Sequence, residues 1–303
     1  MLPAIAPARI LKAADDAGEP EDKLFQISLA QWSLRNHFRG ERVPHLDNLQ
    51  FPAVARSLGF DAVEYLNQFC MDKAGDDAYF QTLAKHAADE GVTSVLMMCD
   101  RTGSLGDPDP ARRQQAVQDH VPWLNAAAQL GCHAIRVNAR SAGSYEEQQK
   151  LAADGLHQLC EKADPLGLSV LVENHGGWSS HGRWLVDVMK MVDHPRVGTL
   201  PDFGNFRISK ASADSPELHY DPYLLLHELM PFAHGVSAKS KDFDASGNET
   251  TVDYRRLIDI VLRHNYHGHI GVEFGGGNTA RSQFEGAILT RRLLERIRQE
   301  KSA

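Results

Sequence analysis

The stretch Ser169-Val-Leu-Val-Glu-Asn-His175 decides the fold class of this chain. Its centre, Val170 to Val172, is a short apolar run typical of a buried parallel strand, and polar side chains follow it at once. Similar runs recur along the chain, separated by longer amphipathic stretches that predict helices. Eight strands are predicted in this way: Phe25–Ala30, Ala62–Leu66, Ser94–Met98, Ala134–Asn138, Ser169–Glu173, Val197–Asp202, Gly235–Lys239 and Ile270–Phe274.

The segments between the predicted strands carry helix start and stop signals. Residues 107–113, Asp-Pro-Asp-Pro-Ala-Arg-Arg, place acid and proline in the first turn of a helix predicted to run to Leu130, before Gly131. Ser144 and Glu147 have the spacing of a capping box at the start of the next helix. Eight strand–helix units over roughly 280 residues are typical of a (β/α)8 TIM barrel, whereas a doubly wound sheet would need a GxGxxG motif after its first strand.

We therefore predict an α/β protein with one domain, a TIM barrel over residues 25–303 after an acidic N-terminal extension over residues 1–24. The 303 residues include 32 Lys and Arg against 40 Asp and Glu, and the net charge of −8 disfavours nucleic acid as a partner. No apolar run approaches the roughly 20 residues needed to cross a bilayer, and the first residues lack the pattern of a signal peptide. We expect a cytoplasmic protein with no membrane partner.

Three of the predicted strands end in or next to a carboxylate, namely Glu173, Asp202 and Glu273. The carboxyl ends of the strands of a TIM barrel open on one mouth, where the active site lies. Three carboxylates at one mouth repel each other unless they hold protons or a cation neutralises them. Oxygen-rich sites favour Mg²⁺ or Mn²⁺, whereas Zn²⁺ usually recruits histidine or cysteine. The alternative is that each carboxylate caps the following helix or pairs with a neighbouring arginine.

Basic and amide side chains at the fourth strand are further candidates for the site. Arg136 and Asn138 alternate with apolar residues, so both are expected to point inward, where they suit the hydroxyl groups of a sugar. An ion pair inside the barrel, for which Glu64 is one candidate partner, is the alternative.

Residues of the seventh, fifth and first strand ends complete the candidate set. Lys239 should face the mouth beside Ser237, where it could stabilise a developing oxyanion; a salt bridge to Glu273 or Asp242 is the alternative. His175 lies two residues after Glu173 and is interpreted as a substrate contact, a metal ligand or a packed loop residue. Trp32 could form a stacking floor for a sugar or belong to the core.

Five short motifs on successive strands resemble the xylose-isomerase-like TIM-barrel superfamily, the sugar phosphate isomerase/epimerase group. The resemblance covers the chain from Phe25 onward, and its motifs are Gly59-Phe-Asp-Ala-Val-Glu64, Val172-Glu-Asn-His-Gly-Gly177, Pro201-Asp-Phe-Gly-Asn205, Val236-Ser-Ala-Lys239 and Gly271-Val-Glu273.

This resemblance implies one divalent metal, Mn²⁺ or Mg²⁺ in the first place and Zn²⁺ or Co²⁺ otherwise. Carried over residue by residue, it makes Glu173, Asp202 and Glu273 the metal ligands. The histidine that the superfamily places on the seventh strand is Ser237 here, and Asn205 stands where a second histidine is often found. Both replacements remove nitrogen ligands. They also argue against the multi-zinc DNA repair nucleases that share this barrel.

The function implied by the resemblance is that of a sugar isomerase or epimerase. A carboxylate removes a proton from the carbon next to a carbonyl, and the metal stabilises the enediolate. Glu173 and Glu273 are the implied acid/base pair, with Lys239 as a further catalytic residue. The small carbohydrate or polyol substrate is expected to contact residues in or near the mouth: His175, Asn174, Arg136, Asn138, Ser237, Glu64, Trp32 and Asn205.

Two alternatives use the same barrel. A lyase or dehydratase acting on a keto-sugar or keto-polyol would employ the same carboxylates, because β-elimination also begins with proton abstraction next to a carbonyl. A non-catalytic sugar-binding barrel would have lost its metal together with the two histidines. A homo-oligomer is also possible, because barrels of this kind can pair through the faces of their outer helices.

Overall fold

The computed structural model describes residues 23–41, 45–212, 215–276 and 282–302. Most of the predicted N-terminal extension, residues 1–24, lies outside the described residues. The barrel strands are β1 Gln26–Ala30, β2 Ala62–Leu66, β3 Thr93–Met98, β4 Ala134–Val137, β5 Ser169–Glu173, β6 Val197–Leu200, β7 Val236–Ser240 and β8 His269–Phe274. The helices are α1 Arg35–Phe38, α2 Phe51–Ser57, α3 Asp77–Asp89, α4 Pro110–Gln129, α5 Tyr145–Ala163, α6 Gly182–Val192, α7 Pro222–Leu229, α8 Tyr254–Arg263 and α9 Gln283–Ser302.

The eight strands are parallel and form a closed (β/α)8 barrel. Neighbouring strands pair in the order β6-β5-β4-β3-β2-β1-β8-β7. The barrel closes between β6 and β7 through the backbone around Ser237, whose N–H donates to Pro201 O at 2.9 Å and whose carbonyl accepts from Phe203 N at 2.9 Å. The predicted TIM barrel is confirmed, and all eight strand ends that were expected to share one mouth do so.

The strand boundaries follow the sequence pattern closely, with one informative exception. The sixth strand was expected to continue to Asp202, but the regular ladder ends at Leu200. Pro201 has no N–H to donate to a ladder, which explains the early end. Asp202 still pairs with Ser237 through an isolated parallel bridge. A short antiparallel hairpin, Arg207–Ser209 with Leu218–His219, follows in the same connection and was not predicted.

The helix start signals act as expected. Asp109 caps α4 by accepting from the N–H groups of Ala111 and Arg112, at 2.8 and 3.1 Å. Ser144 and Glu147 form the complete capping box of α5. No helix among the described residues is long and apolar enough to span a membrane.

The apolar side chains form two clusters that separate the inside of the barrel from its outer layer. The larger cluster packs the strands against the surrounding helices. The smaller one includes Leu96, Leu171 and Leu200. Leu171 lies two residues before Glu173 on β5 and therefore points the same way, into the barrel. Apolar residues thus close the barrel interior beneath the polar mouth.

Candidate active site

The three carboxylates at the strand ends lie together. Glu173, Asp202 and Glu273 each place one carboxylate oxygen within 4.8 Å of the other two. Their side chains are almost fully buried, with 1%, 0% and 4% of the residue surface exposed. Closure of the barrel brings them together, because β5, the end of β6 and β8 all open on the same mouth.

Two residues of β7 bind two of these carboxylates. The Ser237 hydroxyl donates to Asp202 Oδ2 at 2.7 Å, and the N–H of Gly204 donates to Oδ1 at 2.9 Å. The Lys239 ammonium donates to Glu273 Oε1. The salt bridge considered for Lys239 is therefore formed, and Lys239 also faces the cleft at the mouth. Ser237 acts here on Asp202.

Arg136 holds the third carboxylate and corrects one expectation. Its Nε lies 2.9 Å from Glu173 Oε2, and its Nη1 donates to Asp100 Oδ1 at 2.8 Å. The ion pair considered for Arg136 is therefore formed, but with Asp100 and Glu173, and the suggested partner Glu64 is wrong. Glu64 instead accepts a 2.6 Å hydrogen bond from the Ser28 hydroxyl. The reason is that Asp100, directly after β3, lies close enough to take the guanidinium.

Asp100 is the residue that the sequence reasoning missed. Its carboxylate also accepts from Asn138 Nδ2 at 2.8 Å and from Gln68 Nε2 at 2.7 Å. Burial alone would raise the pKa of Asp100, but the Arg136 guanidinium outweighs it and holds the pKa below its ordinary value. An acid directly after the third apolar run, as in Met98-Cys-Asp100, was the available signal.

The two asparagines expected near the substrate position the loops around the carboxylates. Asn174 is fully buried; its Oδ1 accepts from Asp202 N at 2.7 Å, and its Nδ2 donates to Asp202 O at 3.2 Å and Asn205 O at 2.9 Å. Asn205 Nδ2 donates to Glu173 Oε1 at 2.8 Å. Both amides are therefore committed to the protein, and the Glu64 carboxyl is buried beside Ser28 and Gly271.

An open cleft of about 320 Å³ reaches the cluster at Glu273, while Glu173 and Asp202 lie buried behind its lining. Trp32, Arg136, His175, Lys239 and Glu273 are among its lining residues. The Nδ1 atom of His175 is buried and has no hydrogen-bond partner among the described residues. Burial and the nearby cations lower the pKa of His175 to about 4, so the imidazole is neutral at neutral pH. A neutral ring nitrogen is free to bond a ligand hydroxyl here.

The three carboxyl groups do not all have the same pKa, because their surroundings differ. Burial raises the pKa values of Glu173 and Asp202 to about 7. Burial acts on Glu273 in the same direction, but the Lys239 ammonium outweighs it and lowers the pKa of that carboxyl. One glutamate at the site is thus ionised while the other can hold a proton near neutral pH.

The model of one protein family matches most of the chain. It describes the xylose isomerase-like TIM barrel and aligns with residues 52–298. The chain belongs to this family. No curated protein matches the sequence.

Solved structures of xylose isomerase-like barrels superpose over almost the whole chain. One is a xylose isomerase-like TIM barrel protein from Mycobacterium smegmatis in complex with magnesium, with a TM-score of 0.68, 19% identity and coverage of 92% of this chain and 98% of that one. Another is a 3-keto-D-glucoside 4-epimerase from E. coli, with a TM-score of 0.64, 17% identity and coverage of 90% and 99%. A sugar phosphate isomerase/epimerase from Parabacteroides distasonis has a TM-score of 0.67, 13% identity and coverage of 94% and 98%.

The donor set of this xylose isomerase-like barrel fits a divalent cation. Glu173 Oε2 is buried and accepts no hydrogen bond, because the N–H of Arg136 Nε is not aligned with it. Among the described residues, the direct cationic partners of the four acids Asp100, Glu173, Asp202 and Glu273 are Arg136 and Lys239. When all four acids are ionised, two negative charges remain, which one divalent ion would neutralise in place of the protons that Glu173 and Asp202 can hold. Three carboxylates are the hard oxygen ligands that Mg²⁺ and Mn²⁺ prefer.

Proposed function

We propose that this chain is a divalent-metal-dependent sugar isomerase or epimerase that moves a proton at the carbon next to a carbonyl. The observation that carries the proposal is the buried cluster of Glu173, Asp202 and Glu273 beneath an open cleft. The neighbouring folds support it, because they include a D-psicose 3-epimerase solved in the presence of D-fructose. The substrate in this proposal is a small carbohydrate or polyol.

Glu173, Asp202 and Glu273 would hold the metal, with Mn²⁺ or Mg²⁺ as the proposed ion. When bound, the ion supplies positive charge that polarises a carbonyl and offsets the negative charge developing on its oxygen. Ser237 replaces the usual histidine of the seventh strand and offers no nitrogen. Its hydroxyl instead orients Asp202.

The acid and base roles follow from the two charge states. Glu273, kept ionised by Lys239, is the group that accepts the proton from the substrate carbon. Glu173, the other glutamate of the pair, is the group that returns a proton; its raised pKa of about 7 belongs to the metal-free site, so with the ion bound it would first have to take up a proton again. Pairs of carboxyl groups whose environments separate their pKa values commonly divide the acid and base roles in this way.

The cleft offers groups for holding sugar hydroxyls. His175 lines this cleft and has a buried Nδ1 without a partner, and Asn138, whose buried Oδ1 also has no partner among the described residues, lines an adjoining cleft. Trp32 is half-buried and lines the same cleft as His175. An imidazole, an amide oxygen and an aromatic face suit a polyhydroxylated ring or chain.

Incubation of the metal-stripped protein, resupplied with Mn²⁺, with a panel of keto-sugars in D₂O tests the proposal. We expect NMR and mass spectrometry to show an isomer or epimer carrying deuterium at the carbon next to the carbonyl. Glu273→Gln should lower turnover at least about 100-fold, since general acid–base catalysis typically contributes 10²–10⁴-fold.

Glu161→Gln is the matched control, because Glu161 is exposed on α5, away from the mouth. It should retain full turnover. Products that have lost water, or a cleaved glycosidic bond, would identify a lyase and contradict the isomerase proposal. Unchanged turnover in Glu273→Gln would remove Glu273 from its role.

A further inference from the structure

Three arginines line the cleft without a charge partner. Arg39, Arg101 and Arg140 are all exposed, and none has an acid within ion-pairing distance among the described residues. The two acids that line the cleft, Asp100 and Glu273, already pair with Arg136 and Lys239. With a divalent ion balancing the cluster below, the mouth would therefore still carry three uncompensated positive charges.

This concentration of positive charge is unusual for the chain as a whole. The protein carries a net charge of −8, so its surface is on average acidic. Like charges gathered in one cleft repel each other and gain stability when an anion binds between them. Guanidinium groups bind carboxylate and phosphate oxygens with two parallel hydrogen bonds, which makes arginine well suited to both.

The backbone presents Arg101 to the cleft in a fixed way. Arg101 adopts a left-handed conformation with φ of 59°, which is uncommon for a residue other than glycine. Asp100 on one side is held by Arg136, and the hydroxyl of Thr102 on the other lies 2.8 Å from His120 Nε2. Conformations of this kind persist only where the surrounding structure enforces them, and they cluster at functional sites.

The hydrogen bond between Thr102 and His120 needs a neutral imidazole, and the surroundings of His120 keep the ring neutral at neutral pH. The ring is buried, and its Nδ1 lies 2.7 Å from the carbonyl oxygen of Ala116. Nδ1 therefore carries the proton, and Nε2 accepts from the Thr102 hydroxyl. Burial lowers the pKa of His120, which keeps the ring in this neutral form.

A second cleft of about 560 Å³ continues from the first and is also basic. The two clefts share His175 and Arg140. The second adds Lys210 and also Arg207, which pairs with Glu217 at 3.9 Å, and none of the described residues that line it is acidic. Arg140 thus stands at the junction of two clefts whose free charges are all positive.

We propose that the substrate carries an oxyanion, a phosphate or a carboxylate group, which Arg101 and Arg140 bind at the mouth while the sugar carbons lie over the carboxylate cluster. Arg39 adds positive charge from the side of Trp32, whose ring lies 4.9 Å from its guanidinium. This inference deepens the proposed function and rests on it for the position of the reacting carbons. It assigns a binding role to arginines that form no ion pair with the carboxylate cluster or with any other described acid.

Calorimetric binding of paired sugars to the full-length, Mn²⁺-supplied protein tests the inference. Each pair shares a sugar frame and differs in charge: fructose with fructose 6-phosphate, and glucose with glucuronate. We expect at least one anionic member to bind ten or more times more tightly than its neutral partner. Raising the salt concentration should reduce that ratio, and the preferred anion identifies phosphate or carboxylate as the group recognised.

Arg101→Gln and Arg140→Gln should each reduce the ratio at least fivefold. Arg263→Gln is the matched control, since Arg263 is an exposed arginine at the end of α8 on the barrel exterior. It should leave the ratio unchanged. Absence of any preference for the anionic members, or an unchanged ratio in both cleft variants, would overturn the inference.

Binding is measured without turnover, so the two proposals fail separately. Tight, arginine-dependent binding of an anionic sugar that is never isomerised would leave this inference standing and remove the proposed function. If the protein isomerises neutral sugars and neither Arg101→Gln nor Arg140→Gln changes that turnover, the proposed function would stand and this inference would be removed.

Discussion

Lys239 determines where the negative charge lies among the carboxylates of the site. Its ammonium bonds Glu273 and lowers the pKa of that carboxyl, whereas Glu173 and Asp202 keep pKa values raised to about 7 by burial. One side chain therefore makes two chemically identical glutamates different. Such a division is a property of single residues and their neighbours, and the barrel only places them within reach of each other.

Glu64 offers a test of the same electrostatics away from the cluster. It is buried in the barrel wall beside Ser28, and burial raises its pKa from an ordinary 4.5 to about 7. The unfolded chain therefore ionises Glu64 first, and folding stability falls as the pH rises from about 4.5 to about 7. Below about pH 4.5 Glu64 is protonated in both states and does not lower the free energy of unfolding, and above about pH 7 the full decrease in that free energy has been reached.

Glu64→Gln stays neutral and should escape this loss. Its free energy of unfolding, relative to that of the wild type, should rise by on the order of 3 kcal/mol between pH 4.5 and pH 8. Urea unfolding at several pH values measures the difference. Glu146→Gln, an exposed position in the first turn of α5, should show no such trend. A pH-independent difference for Glu64→Gln would contradict the raised pKa.

At the scale of elements, the connections after β5 and β6 form one locked unit. Asn174 follows β5 and makes three hydrogen bonds to the backbone of Asp202 and Asn205, which follow β6. Ser180 adds a hydrogen bond of 2.7 Å from its hydroxyl to the carbonyl oxygen of Asn205. The position of Asp202 in the cluster thus depends on an amide from the neighbouring connection.

Asn174→Ala should therefore act on both stability and metal affinity. The buried N–H and carbonyl of Asp202 would lose their partners, at a cost of about 1–3 kcal/mol per group, whereas Asn205 O would keep the Ser180 hydroxyl; we therefore expect a destabilisation of about 2–4 kcal/mol overall. Metal affinity should fall as well, because Asp202 loses its support. Thermal unfolding and Mn²⁺ titration measure the two effects. Destabilisation without loss of metal affinity would show that Asp202 is placed by Ser237 and Gly204 alone.

The elements were predictable where a local pattern determines them, and the contacts between elements were not. The run Val170–Val172 and the capping box at Ser144 are local signals, and the structure has β5 and α5 where they indicate. The partner of Arg136 depends instead on the β3–β4 register, which pairs Met98 with Arg136 and so places Asp100 beside the guanidinium. Strand alternation alone pointed to Glu64 as the partner of Arg136, because alternation shows which side chains face the barrel interior but not which of them lies next to the guanidinium.

At the scale of the whole molecule, the closed barrel makes a site from residues that are far apart in sequence. Glu173 and Glu273 lie on strands separated by β6 and β7, and only closure through the bridge between Asp202 and Ser237 brings all three carboxylates to one point. Their order along the chain could be predicted, because every strand of a TIM barrel ends at the same mouth. The arginine-lined cleft could not, since Arg39, Arg101 and Arg140 follow three different strands in loops without a regular pattern.

A calorimetric titration of the metal-stripped protein with Mn²⁺ at pH 7.5 tests the central claim most directly. The account predicts one ion per chain, proton release on binding because Glu173 and Asp202 lose their protons, and affinity reduced at least tenfold in Glu173→Gln and Asp202→Asn. Glu161→Gln should bind as the wild type does. Absence of binding at millimolar Mn²⁺, or equal binding by the wild type and both carboxylate variants, would contradict it.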